Sequence, residues 1–406
     1  MTHRIWMVGS ESLTPEQRRI VTLPVRDNQL ILGPAGSGKT VLLLHRADYL
    51  LRDLHIAPHR LRVLVFTNVL KNYIRSGSQA INLPESIVQS FYSWVFELAR
   101  ERRVRFSREG SLANQCRNVL SAVLEYFQKN HVSPALDVAL VDEGQDLPLE
   151  AHRLLAMATC HVTVCADYEQ RLYEHGTDLP EALAILGIRD GPAALAHNLR
   201  SSAAIKQLAA SFLTQTERQR YLASEDKNSL PTTLRIPLLF RSSSVREQWQ
   251  RLAAIVRHEI GRNARVGVLL PSNDLVDEAY FHLSKQRVPV QRITTADHGR
   301  PDFDELVPKV LTIFSAKGLS FDSVLVPCVT GAHYCRRPTA GDKLLFVACT
   351  RALDWVCLGT VVGQEPTILS KAHELTVAGH LIEQEAGAAA GSAIAAEPLV
   401  DEEVPL

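Results

Sequence analysis

Short apolar runs closed by turn residues recur along the chain, beginning with QLILG from Gln29, RVLVFTN from Arg62, VALVDE from Val138 and HVTVCAD from His161. Four more follow: VGVLLPS from Val266, VLTIFSA from Val310, SVLVPCV from Ser323 and DWVCLGTVV from Asp354. Each is too short for a helix that buries one face and rich enough in Val, Ile and Leu to be a strand covered on both sides. Between them lie stretches with apolar residues at helical spacing, such as TVLLLHRADYLLRDL from Thr40 and SIVQSFYSWVFELARER from Ser86. Strand and helix alternate, which predicts parallel sheets flanked by helices, and the pattern runs twice. A polar, Gly- and Pro-containing zone from Thr177 to Pro192 has the weakest periodicity and reads as a hinge.

The 406-residue length supports this division, since a single core rarely grows so large. No run reaches the apolar length of a membrane span, and MTHRIWMVGSESL lacks the basic-then-apolar build of a secretory leader, so the expected location is cytoplasmic. Seven cysteines without framework-like spacing fit reduced thiols. Cys328, His333 and Cys335 come closest to a metal cluster, but no second pair completes four ligands. Formal net charge is zero, yet residues 383–406 carry acids and no Lys or Arg. The rest is therefore basic, and the stretch over 376–406 reads as an acidic, alanine-rich, disordered tail.

Chemistry enters at Gly33-Pro34-Ala35-Gly36-Ser37-Gly38-Lys39-Thr40, a complete phosphate-loop pattern with a strand before it and a helix after. Gly33, Gly36, Ser37 and Gly38 let backbone amides close on phosphate oxygens. Lys39 reaches the β- and γ-phosphates of ATP, and Thr40 shares Mg²⁺ with an acid. That acid is Asp142 in ALVDEGQDLP, where charged residues follow a strand that reads as buried. Glu143 beside it would orient and deprotonate the attacking water. Gln145 and Asp146 exceed what a simple ATPase needs.

With Asp142, Glu143, Gln145 and Asp146 forming a DExQD box, the chain resembles the UvrD/Rep-like superfamily 1 helicases. LTPEQ, ending on Gln17, resembles that family's adenine-sensing motif. VFTNVLKNYIRS, QSFYSW, ADYEQRLY, HNLRSS, IFSAKGLSFD and LLFVACTRALD resemble its further motifs in order, from Leu13 to Leu358. The resemblance implies two RecA-like P-loop NTPase domains, over 1–185 and 186–375, with ATP hydrolysed in a cleft between them. It assigns Gln170 to sensing the γ-phosphate, Arg200 and Arg351 to stabilising transition-state charge, and Gly318 to the nucleotide. It also places Phe66, Thr67, Asn68, Phe91, Tyr92 and Tyr173 against a single strand of nucleic acid, DNA rather than RNA. Trp94 reads as core, being an aromatic at helical spacing.

The chain departs from the family pattern at four places. Leu199 stands where a tyrosine usually stacks on adenine, Ser320 replaces an acid, and Glu174-His175-Gly176 replaces a Gly-Trp-Arg run. The intervals from Trp94 to Val141 and from Ser202 to Phe314 are too short for the family's accessory domains. Three readings stand at this level. One is an ATP-dependent translocase on single strands, moving 3′ to 5′ by family analogy and weak at unwinding alone. Another is a nucleotide-gated switch acting on a protein partner such as a nuclease. The third is a factor that releases RNA polymerase, although no long heptad arm is present.

Overall fold

The computed structural model describes residues 7–78, 81–130, 132–170, 176–189, 191–195, 202–223, 235–294, 301, 303, 305–334 and 338–387. Two compact units divide after residue 198.

The first unit is a six-stranded sheet in the order β3-β2-β4-β5-β1-β6, with every pair parallel. Its strands are β1 (Gln29–Leu32), β2 (Leu61–Val65), β3 (Val88–Ser90), β4 (Leu136–Val141), β5 (Thr159–Ala166) and β6 (Ala193–Ala194). Its helices are α1 (Pro15–Val21), α2 (Lys39–Arg52), α3 (Asn68–Ser78), α4 (Phe91–Glu101), α5 (Leu112–Lys129), α6 (Leu149–Ala158) and α7 (Leu179–Leu186). The order places β4, β5 and β1 side by side, so the residues that follow these strands gather at the carboxyl end of the sheet.

The second unit is a seven-stranded parallel sheet in the order β13-β7-β12-β11-β8-β10-β9. The strands are β7 (Leu238–Ser242), β8 (Val266–Leu270), β9 (Gln291–Ile293), β10 (Lys309–Thr312), β11 (Phe321–Val326), β12 (Ala352–Val361) and β13 (Ile382–Gln384). Its longer helices are α8 (Ala203–Ala210), α9 (Gln215–Ala223), α10 (Val245–Gly261) and α11 (Asn273–Lys285). The short α12 (Ile313–Ala316) and α13 (Gly331–Tyr334) precede α14 (Pro338–Cys349) and α15 (Ala372–Val377). The expected α/β class, parallel sheets flanked by helices and repeated twice, is the observed one, and it is consistent with two RecA-like domains.

Local chemistry sets the helix starts. Ser90, Ser111, Ser202, Ser244 and Ser272 each accept a hydrogen bond from the amide three residues on, a cap worth about 1 kcal/mol. The zone read as a hinge holds α7 instead, started by an Asp178–Glu181 capping box and ended by Gly187 in the left-handed region. Leu186 is buried in the first core, and Leu179, Leu183 and Ile188 pack against it. The division accordingly falls after 198 rather than after 185, because β6 beyond α7 still pairs with β1. The stretch read as a tail from 376 begins with structure: β13 pairs with β7, and Arg241 binds Glu383. Only residues 388–406 of that stretch lie outside the described residues. Among the described residues no helix is long and apolar enough to cross a membrane, and none of the His, Cys, Asp and Glu side chains group as a metal cluster. Cys335 lies outside them.

Candidate nucleotide-binding site

The loop between β1 and α2 has the conformation that its glycines permit. Gly36 and Gly38 sit at φ 82° and 80°, a region that side chains with a Cβ disfavour. Gly33 is required by proximity: a Cβ there would come 2.4 Å from the Ser37 hydroxyl and 3.0 Å from Leu195. Most helices of the first unit take a side-chain cap, whereas α2 starts on Gly38 with none. Its first amides are left for a ligand, at the positive end of the helix dipole. The Ser37 hydroxyl is buried and has no hydrogen-bond partner among the described residues. A buried polar atom without a partner costs about 1–3 kcal/mol, so both features fit an anion in the loop.

Lys39 is 7% exposed and donates to the Gly33 and Pro34 carbonyls at 2.8 and 3.0 Å. The loop thus holds the ammonium group in place. Asp167 Oδ2 lies 3.9 Å from it.

Two strands away, β4 ends in the acids. Thr40 Oγ1 donates to Asp142 Oδ2 at 2.7 Å, so the hydroxyl and the carboxylate proposed to share Mg²⁺ already meet. Asp142 is fully buried, and burial first, then the Glu143 charge, push its carboxyl up to about 6, with Thr40 and Lys39 pulling the other way. A divalent cation between Thr40 and Asp142 would supply the charge that this carboxylate lacks, so the donor set fits Mg²⁺.

Glu143 adopts the left-handed region at φ 54°, costly for a residue with a Cβ and frequent at functional sites. The next position is held to glycine, because a Cβ on Gly144 would meet the Val164 side chain at 2.2 Å. The Gly144 carbonyl accepts from His152 Nε2 at 3.1 Å, and burial pushes that histidine down to about 4, keeping it neutral.

The surplus residues of ALVDEGQDLP have a place. Gln145 Nε2 donates to Glu143 Oε2 at 2.6 Å, while its Oε1 accepts from the Asp167 amide at 3.0 Å. Asp167 Oδ2 in turn accepts from Gln170 Nε2. One buried chain of hydrogen bonds therefore joins Glu143, the second residue past β4, to the segment after β5.

Gln17 belongs to the same site. Its amide oxygen accepts from Thr14 N at 3.0 Å within a capping box, and its Nε2 donates to the Ser37 carbonyl at 3.0 Å. The far end of α1 is held by Arg46, whose Nη1 donates to the carbonyls of Ile20, Val21 and Leu23. Arg46 is fully buried, and desolvation lowers its guanidinium to about 10.

Sequence reasoning left Asp167, Arg46 and His152 out of the site. Asp167 had a usable signal, since it follows β5 as Asp142 follows β4. Arg46 and His152 had none, because each acts on backbone carbonyls brought near only by the fold.

In the second unit, Gly318 turns the chain at φ 81° after α12. Arg351 follows α14, is 2% exposed, and donates from Nε to the Val347 carbonyl at 3.1 Å and from Nη2 to Thr350 Oγ1 at 3.0 Å. Arg200, Tyr173, Leu199 and the 174–175 departure lie outside the described residues.

The expected strand contacts separate into two kinds. Thr67 Oγ1 caps α3 by accepting from Leu70 N, and exposed Asn68 accepts from Lys71 at 3.1 Å. Phe66 and Tyr92 are half-buried against the first core. Phe91 is 1% exposed and packs its ring 5.9 Å from that of buried Trp94. It has no face to offer a base, so the reading of Phe91 as a strand contact is corrected to core.

Residues 13–82 match the model of the UvrD/REP helicase N-terminal domain. The chain is 31% identical over 140 residues to "ATP-dependent DNA helicase srs2" of Schizosaccharomyces pombe, covering 33% of this chain and 16% of that protein. It is 43% identical over 58 residues to "DNA helicase II" of Salmonella typhimurium, covering 14% and 8%. It is 33% identical over 89 residues to "ATP-dependent DNA helicase PcrA" of Leuconostoc citreum, covering 22% and 12%. The matches thus span a minor part of this chain and less than a fifth of each relative's length.

Proposed function

We start from the UvrD-like character of the chain, carried by its UvrD/REP-type N-terminal segment, and propose that it is an ATP-dependent motor on single-stranded nucleic acid, DNA rather than RNA. The observation that carries the reading is the meeting of Thr40 and Asp142 at 2.7 Å beside a glycine loop whose helix has no cap and whose Ser37 hydroxyl has no partner among the described residues. The matched relatives named as DNA helicases support the choice of substrate. Direction, 3′ to 5′, follows from the resemblance alone.

Each group then has a task. Lys39 exchanges two carbonyls for phosphate oxygens, where its charge is worth more. Thr40 and Asp142 hold Mg²⁺, which neutralises phosphate charge when bound. Glu143, fixed by Gln145 and by the backbone turn that His152 supports, orients the attacking water and takes its proton. Gln170, tied to Asp167, reports the γ-phosphate to the segment after β5. Arg200 and Arg351 are assigned to transition-state charge by the resemblance.

The test is the rate of ATP hydrolysis by the full chain alone and with single-stranded DNA, duplex DNA and single-stranded RNA. Stimulation of many-fold by single-stranded DNA is expected. Turnover indifferent to all three nucleic acids would remove the motor reading and leave a nucleotide-gated switch with a protein partner.

A further inference from the structure

The segment linking α4 to α5 carries a charge that neither the nucleotide site nor the packing uses. From Arg102 to Arg108 it reads RRVRFSR, four arginines and no acid. Among the described residues, none of Arg102, Arg103, Arg105 and Arg108 has a carboxylate partner. Arg102 closes α4, where the helix dipole accounts for it. The other three lie beyond that end, and all are exposed.

Their presentation is fixed. From Arg103 to Ser107 burial alternates residue by residue, with Val104 and Phe106 turned onto the first core and Arg103 itself in the left-handed region at φ 55° where the chain leaves α4. The Phe106 ring lies 5.6 Å from that of Phe96, and Asn118 of α5 donates to the Ser107 carbonyl at 3.2 Å. Arg108 stacks over the Phe106 ring at 5.4 Å. The arginines therefore stand on an anchored backbone.

The geometry points to the phosphate backbone of a nucleic acid as the ligand of Arg103, Arg105 and Arg108, an inference that rests on the motor reading and adds a second contact region to it. Successive phosphates on one strand of a duplex advance by about 3.4 Å along the helix axis, so exposed arginines spaced along one anchored segment can each meet a separate phosphate. Guanidinium groups suit phosphate because their donors form a planar fork.

The experiment compares the full chain with the triple variant Arg103→Gln, Arg105→Gln, Arg108→Gln, and with its Lys counterpart. Binding of fluorescent single-stranded and duplex DNA is measured across a salt series, beside melting temperature and ATP hydrolysis without nucleic acid. Melting and basal hydrolysis should not change. The Gln variant should lose affinity, and its slope of log K against log salt should shrink by about 2 on single strands or by nearly 3 on duplex, one released counterion set per lost contact. The larger loss identifies the form of nucleic acid that the patch holds. The Lys variant should keep the slope. If the parent chain binds DNA and the Gln variant binds with the same affinity and slope, the patch is not a phosphate site. Displacement of DNA by polyglutamate as readily as by unlabelled DNA of equal charge would overturn it in favour of an acidic protein. A parent chain that binds no nucleic acid would overturn the motor reading as well.

Discussion

At the scale of single residues, the site separates groups that touch nucleotide from groups that hold them. Lys39→Ala removes the ammonium that the loop keeps in reserve, and ATP turnover should vanish. Glu143→Gln keeps the size and most hydrogen bonds of the side chain but cannot take a proton, so nucleotide should still bind while hydrolysis is lost. Equilibrium binding of a fluorescent ATP analogue, measured beside steady-state turnover, distinguishes the two variants, and normal turnover by the glutamine variant would remove Glu143 from its role. Gln145→Leu tests the hydrogen-bond chain. It deprives buried Glu143 of a donor and the Asp167 amide of an acceptor. A misplaced base costs rate more than affinity, so kcat should fall by about 10- to 100-fold, equivalent to about 1.4–3 kcal/mol, with KM nearly unchanged. A rise in KM with kcat intact would make Gln145 a ground-state binder. These roles were only partly legible in the sequence. Gly33 to Thr40 and Asp142-Glu143 follow strands that periodicity reveals, so the order of residues alone is enough to place their chemistry. Gln145 had only its oddity, because its partner Asp167 is brought close by the pairing of β4 with β5.

At the scale of elements, legibility tracked apolar content. The strands named from the sequence became β1, β2, β4, β5, β8, β10, β11 and β12, all central in their sheets. The strands not named include β3, β6, β9 and β13, which have two or three residues and lie at the sheet edges. An edge strand that short has too few side chains to show a period, and neighbours decide its fate. Phe91 failed for a related reason: an aromatic beside a strand end has the same appearance whether it enters the core or faces solvent, and here the α4 packing buries it. The histidines of α6 and β5 give a stability prediction of their own. Burial lowers His152 to about 4 and His161 to about 3, the latter helped by the neighbouring Arg46 charge. Both folded values lie below the ordinary 6.5, so the unfolded chain takes up protons first as pH falls. Each histidine should therefore leave stability intact above pH 6.5 and erode it below, by about 2 kcal/mol at pH 5. Urea unfolding from pH 7.5 to 5 measures this slope. His152→Gln, which keeps a donor for the Gly144 carbonyl, should flatten it, and an unchanged slope would mean that His152 is not held neutral.

At the scale of the whole molecule, zero net charge conceals a division along the chain. Residues 388–406 hold four acids, Glu397, Asp401, Glu402 and Glu403, and no base, so the remainder carries four more positive charges than negative. Polyanion binding depends on that excess, together with local groups such as the arginines after α4. The structure also fixes where a truncation can begin. Cutting before Glu383 would take away most of β13 and leave Arg241 without Glu383 and Arg251 without Gln384, so a change in binding would be confounded with damage to the second sheet. Ending the chain at Gly387 keeps these contacts, including the bond from the Gly387 amide to Glu247. The chain 1–387 should melt as the full chain does and bind single-stranded DNA more tightly at low salt. The gain should fade toward 1 M salt, where the screening length falls to about 3 Å and distant charges no longer act. Fluorescence anisotropy with the two chains across a salt series measures the difference. Equal affinities at the lowest salt would show that residues 388–406 do not compete with nucleic acid, and the same charges would then be better read as a docking segment for a basic partner.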